Sequence, residues 1–91
     1  KALTVFPEHI DALYNLSVAY EKLSEFDRAA QGFLKVIQLD PQAHDAHFHL
    51  GEIYMMNGQC KQASQHFEET IRLQPELEKN ILPKLRACRA L

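Results

Sequence analysis

The sequence predicts an all-α fold, built from antiparallel helix–turn–helix repeats stacked in series and closed by a C-terminal capping helix. Three observations carry this. Pro7, Pro41 and Pro75 are spaced by 34 and 34 residues, a period that belongs to repeat architectures. When residues 8–41 are laid on 42–75, ten of the 34 positions are identical: Asp11/Asp45, Ala12/Ala46, Leu16/Leu50, Tyr20/Tyr54, Ala29/Ala63, Gln31/Gln65, Phe33/Phe67, Ile37/Ile71, Leu39/Leu73 and Pro41/Pro75. Within each unit the apolar residues recur every three or four positions, the spacing of one helix face. Apolar and small positions match while charged ones drift, as expected of a repeated core under a free surface.

The elements follow in order. Ala12, Leu13, Leu16, Ala19, Tyr20 and Leu23 predict a helix over about 9–22. Ser24-Glu25-Phe26-Asp27 reads as a capping box, with the Ser24 hydroxyl taking a free backbone N–H. Phe26, Ala29, Ala30, Phe33, Ile37 and Leu39 predict the next helix over about 26–39, ended at Asp40-Pro41 because a residue before proline is driven out of helical geometry. Ala46, Leu50, Ile53 and Tyr54 mark a third over about 43–56, with Asn57-Gly58 as a left-handed stop. Ala63, Phe67, Ile71 and Leu73 mark a fourth over about 60–73. The small residues Ser17 with Ala29, and Gly51 with Ala63, are expected where the two helices of a unit cross. Tyr20 and Tyr54 are expected to fill the space between successive helices.

The ends are read by the same alignment. Residues 1–7 resemble the end of a second helix, with Ala2, Val5 and Pro7 matching Val36, Leu39 and Pro41. A half-helix there predicts a piece of a longer array and end-to-end pairing with a second copy. Residues 76–91 read as a capping helix: Leu77, Ile81, Leu85 and Cys88 form a dry stripe, and Lys84, Arg86 and Arg89 lie off it. Pro83 is expected to kink this helix or delay its start.

The pattern Leu-small-x-x-Tyr…Ala-x-x-x-Phe…Pro stands here as Leu16-Ser17…Tyr20…Ala29…Phe33…Pro41 and again as Leu50-Gly51…Tyr54…Ala63…Phe67…Pro75. Length and pattern together resemble the tetratricopeptide repeat. The departure is His47, where that family usually carries a large apolar side chain. The resemblance implies a right-handed α-solenoid whose first helices line a concave face that holds a protein or peptide ligand. Carried over residue by residue, the ligand-facing positions are Asp11, Tyr14, Val18, Glu21 and Lys22 in unit 8–41, and Asp45, Phe48, Glu52, Met55 and Met56 in unit 42–75. Arg86 and Arg89, with Lys79 and Leu82, are added by the cap. Val18 and Glu52 stand where chaperone-tail binders of this family place asparagines, and Glu52 would repel a terminal carboxylate.

The residues themselves agree. Tyr14, Val18, Phe48, Met55 and Met56 are the apolar side chains left over once the core stripe is assigned, and such rows mark interfaces. Acidic residues flank them, which favours a peptide or helix with apolar anchors and some positive charge. The alternative is a structural or self-associating segment of a longer array, or an accessory part of a larger protein.

Composition excludes other classes. Lys+Arg 10 against Asp+Glu 12 gives a net charge of −2, which offers no general attraction for nucleic acid. No apolar run reaches the length of a membrane span. Cys60 and Cys88 are the two cysteines; the default reading is two reduced thiols in a reducing, cytoplasmic setting, with pairing as the alternative in an exported protein. No cofactor is expected. His44, His47 and His49 contain no His-x-x-x-His pair, and His49 is read as pointing elsewhere, so no metal site is expected. Cys60 with His66, or Cys88 with Arg86, lacks a base held by a third group, so no catalytic residue is expected.

Overall fold

The computed structural model describes residues 7–89. Among the described residues, five α-helices follow one another: α1 Pro7–Lys22, α2 Phe26–Leu39, α3 His44–Met56, α4 Cys60–Leu73 and α5 Glu78–Arg89, with a 3-10 turn, Pro75–Leu77, leading into α5. The described residues contain no strand. Helices joined by three or four residues must run antiparallel and pack on their chain neighbours, and the molecule is elongated, 47 × 28 × 17 Å. Residues 1–6, on which the half-helix expectation falls, lie outside the described residues. The first helix begins at Pro7, where the missing N–H removes no helical hydrogen bond.

The two turns inside the units are built alike. The N–H of Glu25 donates to the carbonyl of Tyr20 at 2.9 Å, and that of Ser24 to Glu21 at 3.0 Å. Thirty-four residues on, Gln59 donates to Tyr54 at 2.8 Å and Gly58 to Met55 at 3.1 Å. This double bond pattern closes a helix through a left-handed residue. Gly58 supplies it at φ 78° and Ser24 at φ 64°. The expected capping box is therefore corrected. Ser24 is spent on the stop of α1, and Glu25 precedes α2 without a side-chain cap. The unit ends also match: Asp40 and Gln74 are extended, and their N–H groups donate back to Val36 and Thr70.

Burial follows the second helix of each unit. Ala29, Phe33 and Val36 from α2 join Ala46, Leu50 and Ile53 from α3 in one core. Ala63 and Phe67 from α4 join Ile81, Leu85 and Cys88 from α5 in the next. Ser17 packs face to face with Gly32: a Cβ on Gly32 would lie 1.9 Å from the Ser17 hydroxyl oxygen, which is itself satisfied by donating to the Leu13 carbonyl at 2.8 Å. Leu16 departs from its expected core role. It is 50% exposed, whereas its counterpart Leu50 is 0% exposed. The reason is positional: Leu50 lies in the α2/α3 core, and no described helix stands before α1.

The capping helix corrects two further expectations. It begins at Glu78, five residues before Pro83, and runs through it. Pro83 thus does not delay the start. It removes one N–H from the first half of a helix whose burial rests on Ile81, Leu85 and Cys88. The cysteines are not free thiols. Cys60 and Cys88 are joined, with Cα atoms 5.4 Å apart, because α5 runs back along α4 and brings its last turn to the first turn of α4. The bond pins α5 across a loop of 28 residues.

Two measurements check these readings. Ser24→Gly removes the cost of a side chain in left-handed backbone and is expected to stabilise by about 0.5–1 kcal/mol, net of the extra chain entropy of glycine. Gly58→Ser is expected to cost a similar amount through the backbone alone, since a Cβ there meets nothing within 4 Å; thermal unfolding of both variants reads the difference. Reduction of the Cys60–Cys88 bond is expected to lose about 3.5 kcal/mol. For a domain of this size, that lowers Tm by on the order of 15 °C, measured with and without reductant.

Candidate ligand-binding face

The first helices carry the candidate residues on one side, and Phe33 is the floor beneath them. Tyr14 meets Phe33 edge-on, with ring centroids 5.7 Å apart. The His49 ring stacks on Phe33 at 4.9 Å and 2°, and its Nε2 lies 3.1 Å from the Tyr14 hydroxyl. Phe48 leans on His49 and on Phe67, each 6.0 Å away. Val18 and Met55 are half-buried against the two cores, while Met56 is 56% exposed. Lys22 and Arg86 are exposed. The side chain of Arg89 lies outside the described residues.

Charges are arranged around this apolar row. Glu21 Oε1 is 2.9 Å from His49 Nδ1. Glu52 Oε2 pairs with Lys84 Nζ at 3.2 Å, and the same ammonium sits 5.9 Å over the Phe48 ring. Burial, then the negative charges of Asp45 and Glu21, pushes the Tyr14 hydroxyl above its ordinary range. The face around Tyr14 is thus electronegative.

Two clefts flank Asp45. One, about 350 Å³, is lined by Ile10, Tyr14 and Val36 together with Asp11, Asp40, Asp45 and His44, whose Nε2 lies 3.2 Å from Asp45 Oδ1. The other, about 200 Å³, is lined by Asp45, Phe48, Leu77, Asn80 and Ile81 and is mainly apolar. The structure therefore brings together Asp11, Tyr14, Asp45 and Phe48, and separately Glu21 with Glu52 through His49. It does not bring Lys22, Met56 or Arg86 into either cleft. Sequence reasoning missed His49, Asp40, Leu77 and Lys84. For His49 a signal existed: it follows Asp45 by four residues and precedes Glu52 by three, and so shares their helix face.

His47 belongs to a different place. It is buried, and its Nδ1 faces His66 Nδ1 across α3 and α4 at 3.1 Å. Burial lowers the pKa of His47, and burial followed by the charge of His47 lowers that of His66. One proton between the two ring nitrogens makes a hydrogen bond; a second sets two N–H groups against each other. The exposed Glu69–Arg72 pair stands beside them.

Paired helices that recur with one repeat length, and that leave the first helix of each pair to present side chains, define a helical-repeat interaction fold. Residues 10–43 and 45–76 each match a model of the tetratricopeptide repeat. The chain belongs to the tetratricopeptide-repeat family, whose members generally serve as non-catalytic modules for protein–protein interaction. No curated protein matches the chain. No described helix is long and apolar enough to cross a membrane.

The histidine pair yields a pH dependence. Both folded pKa values lie below the ordinary 6.5, so the unfolded chain takes up protons first. Stability is full above about 6.5 and falls as pH drops from there through the folded values. His47→Leu is expected to flatten that acid limb in urea unfolding followed from pH 7.5 to 5; an unchanged slope would refute the assignment to this pair.

Proposed function

We propose that the chain is a non-catalytic interaction module that holds a peptide or helix along the face of α1, α3 and α5. Its ligand offers a basic side chain and, within a few residues, an apolar one. The observation that carries this is the pair of clefts meeting at Asp45, one with three aspartates among its lining residues and the other walled by Phe48, Leu77 and Ile81. A cation gains from three carboxylates, and an apolar side chain gains from a mainly apolar cleft. Asp45 is exposed and in the shared wall, so it tests the reading without disturbing a core.

A second reading, a segment of a longer array, is favoured by one feature. Leu16 is 50% exposed on α1, at the position where its counterpart Leu50 packs against the preceding helix α2.

A selection of random twelve-residue peptides displayed on phage checks the first reading. Selected peptides are expected to carry Lys or Arg near an aliphatic or aromatic residue. Asp45→Lys is expected to weaken them about tenfold, a loss of about 1.4 kcal/mol, with the helical circular dichroism unchanged. Peptides bound equally by the variant, or no peptides at all, count against it.

A further inference from the structure

We propose that Glu21, His49 and Glu52 form a binding site for one divalent metal ion of the zinc class. One donor atom from each of the three residues lies within 4.8 Å of the others. Glu21 comes from α1; His49 and Glu52 come from adjacent turns of α3. Donors around a common zinc-like ion stand about 2.0–2.2 Å from it, hence roughly 3.5 Å from one another in a tetrahedron. The two carboxylates close the remaining gap by rotation about their own side-chain bonds, while the imidazole stays put.

The imidazole is the reason to read this cluster as more than two acids beside a histidine. Its Nδ1 is the one buried side-chain polar atom, among the described residues, without a hydrogen-bond partner. Glu21 Oε1 is 2.9 Å away, close enough to pair with a protonated ring, but the contact makes no hydrogen bond. A buried nitrogen without a partner is costly, and a metal ion at the same spot would use its lone pair. The rest of the ring is already arranged for that role. Stacking on Phe33 fixes its plane. The Tyr14 hydroxyl stands 3.1 Å from Nε2, in reach to accept the Nε2–H of the tautomer whose Nδ1 would bind the metal. This is the support that metal-bound histidines generally have.

The donor set selects the ion. Imidazole favours zinc, nickel, copper or iron over magnesium and calcium. Lys84 holds one oxygen of Glu52 at 3.2 Å and leaves the other to the metal. All three side chains are mostly shielded, at 17%, 23% and 28% exposure for Glu21, His49 and Glu52. Three protein ligands leave a fourth position for water. Cys60 and Cys88 do not compete, being joined to each other.

The inference is independent of the peptide reading, because it is tested with zinc chloride alone. The full chain, with its disulfide intact, is titrated at pH 7.5 by calorimetry and by thermal unfolding. One equivalent is expected to bind and to raise Tm. Glu21→Gln and Glu52→Gln, which keep size and shape, are each expected to weaken binding at least tenfold. Tyr14→Phe, which keeps the ring on Phe33, is expected to weaken it by about tenfold. Cobalt(II) is expected to give a visible absorption band that His49→Gln abolishes. Zinc binding of equal affinity in the Glu21→Gln/Glu52→Gln double variant, meaning that His9, His44, His47 or His66 is the ligand, overturns the proposal. So does the absence of any heat or Tm shift at millimolar zinc.

Discussion

Much of the molecule depends on where Phe33 is held. It is fully buried in the core that α2 and α3 build together, with α1 packed against it. Its ring supports Tyr14 from one helix and His49 from another. One aromatic therefore sets the spacing of α1 and α3 and the orientation of the side chains that face outward from them. Phe67 occupies the same place one unit later, under Phe48 and against Gly51, where a Cβ would come within 2.6 Å of its ring. Close packing of this kind passes small changes in volume directly to neighbouring helices.

The face built on that floor combines apolar and charged groups in an order that a smooth helix surface would not have. Asp11 from α1, Asp40 from the α2–α3 connection and Asp45 from α3 line the cleft beside Tyr14, while Lys84 arrives from α5 to pair with Glu52, its ammonium over the Phe48 ring. The cap is thus more than a cover for the last core. It contributes a wall of one cleft through Leu77, Asn80 and Ile81. The Cys60–Cys88 bond, at the far end of the same helix, ties that wall to α4. Covalent closure of this kind matters most in a small array with few units to share burial.

Repetition leaves its marks as much in the exceptions as in the matches. Ser24 and Gly58 perform one backbone task with different residues. Leu16 and Leu50 are identical in type and opposite in burial. His47 stands at a position that the family usually fills with an apolar residue, and His66 supplies the partner that a buried imidazole needs.

The sequence by itself determined the helices and their order. The period of 34 and the helical spacing of apolar residues are local properties, and four helices fall within two residues of where those properties put them. It also singled out Tyr14 and Phe48 as left over from the core, whereas both are half-buried and pack against the two cores. Only the tertiary structure decided what those residues meet. His49 and Lys84 reach the face from different helices. Leu16 is exposed where no described helix stands before α1, and Ser24 turns from a cap into a stop because the three-residue turn needs a left-handed residue there. Cys60 finds Cys88 because α5 runs back along α4. Each of these outcomes depends on distances between segments far apart in the chain, and periodicity along a chain carries no measure of those distances.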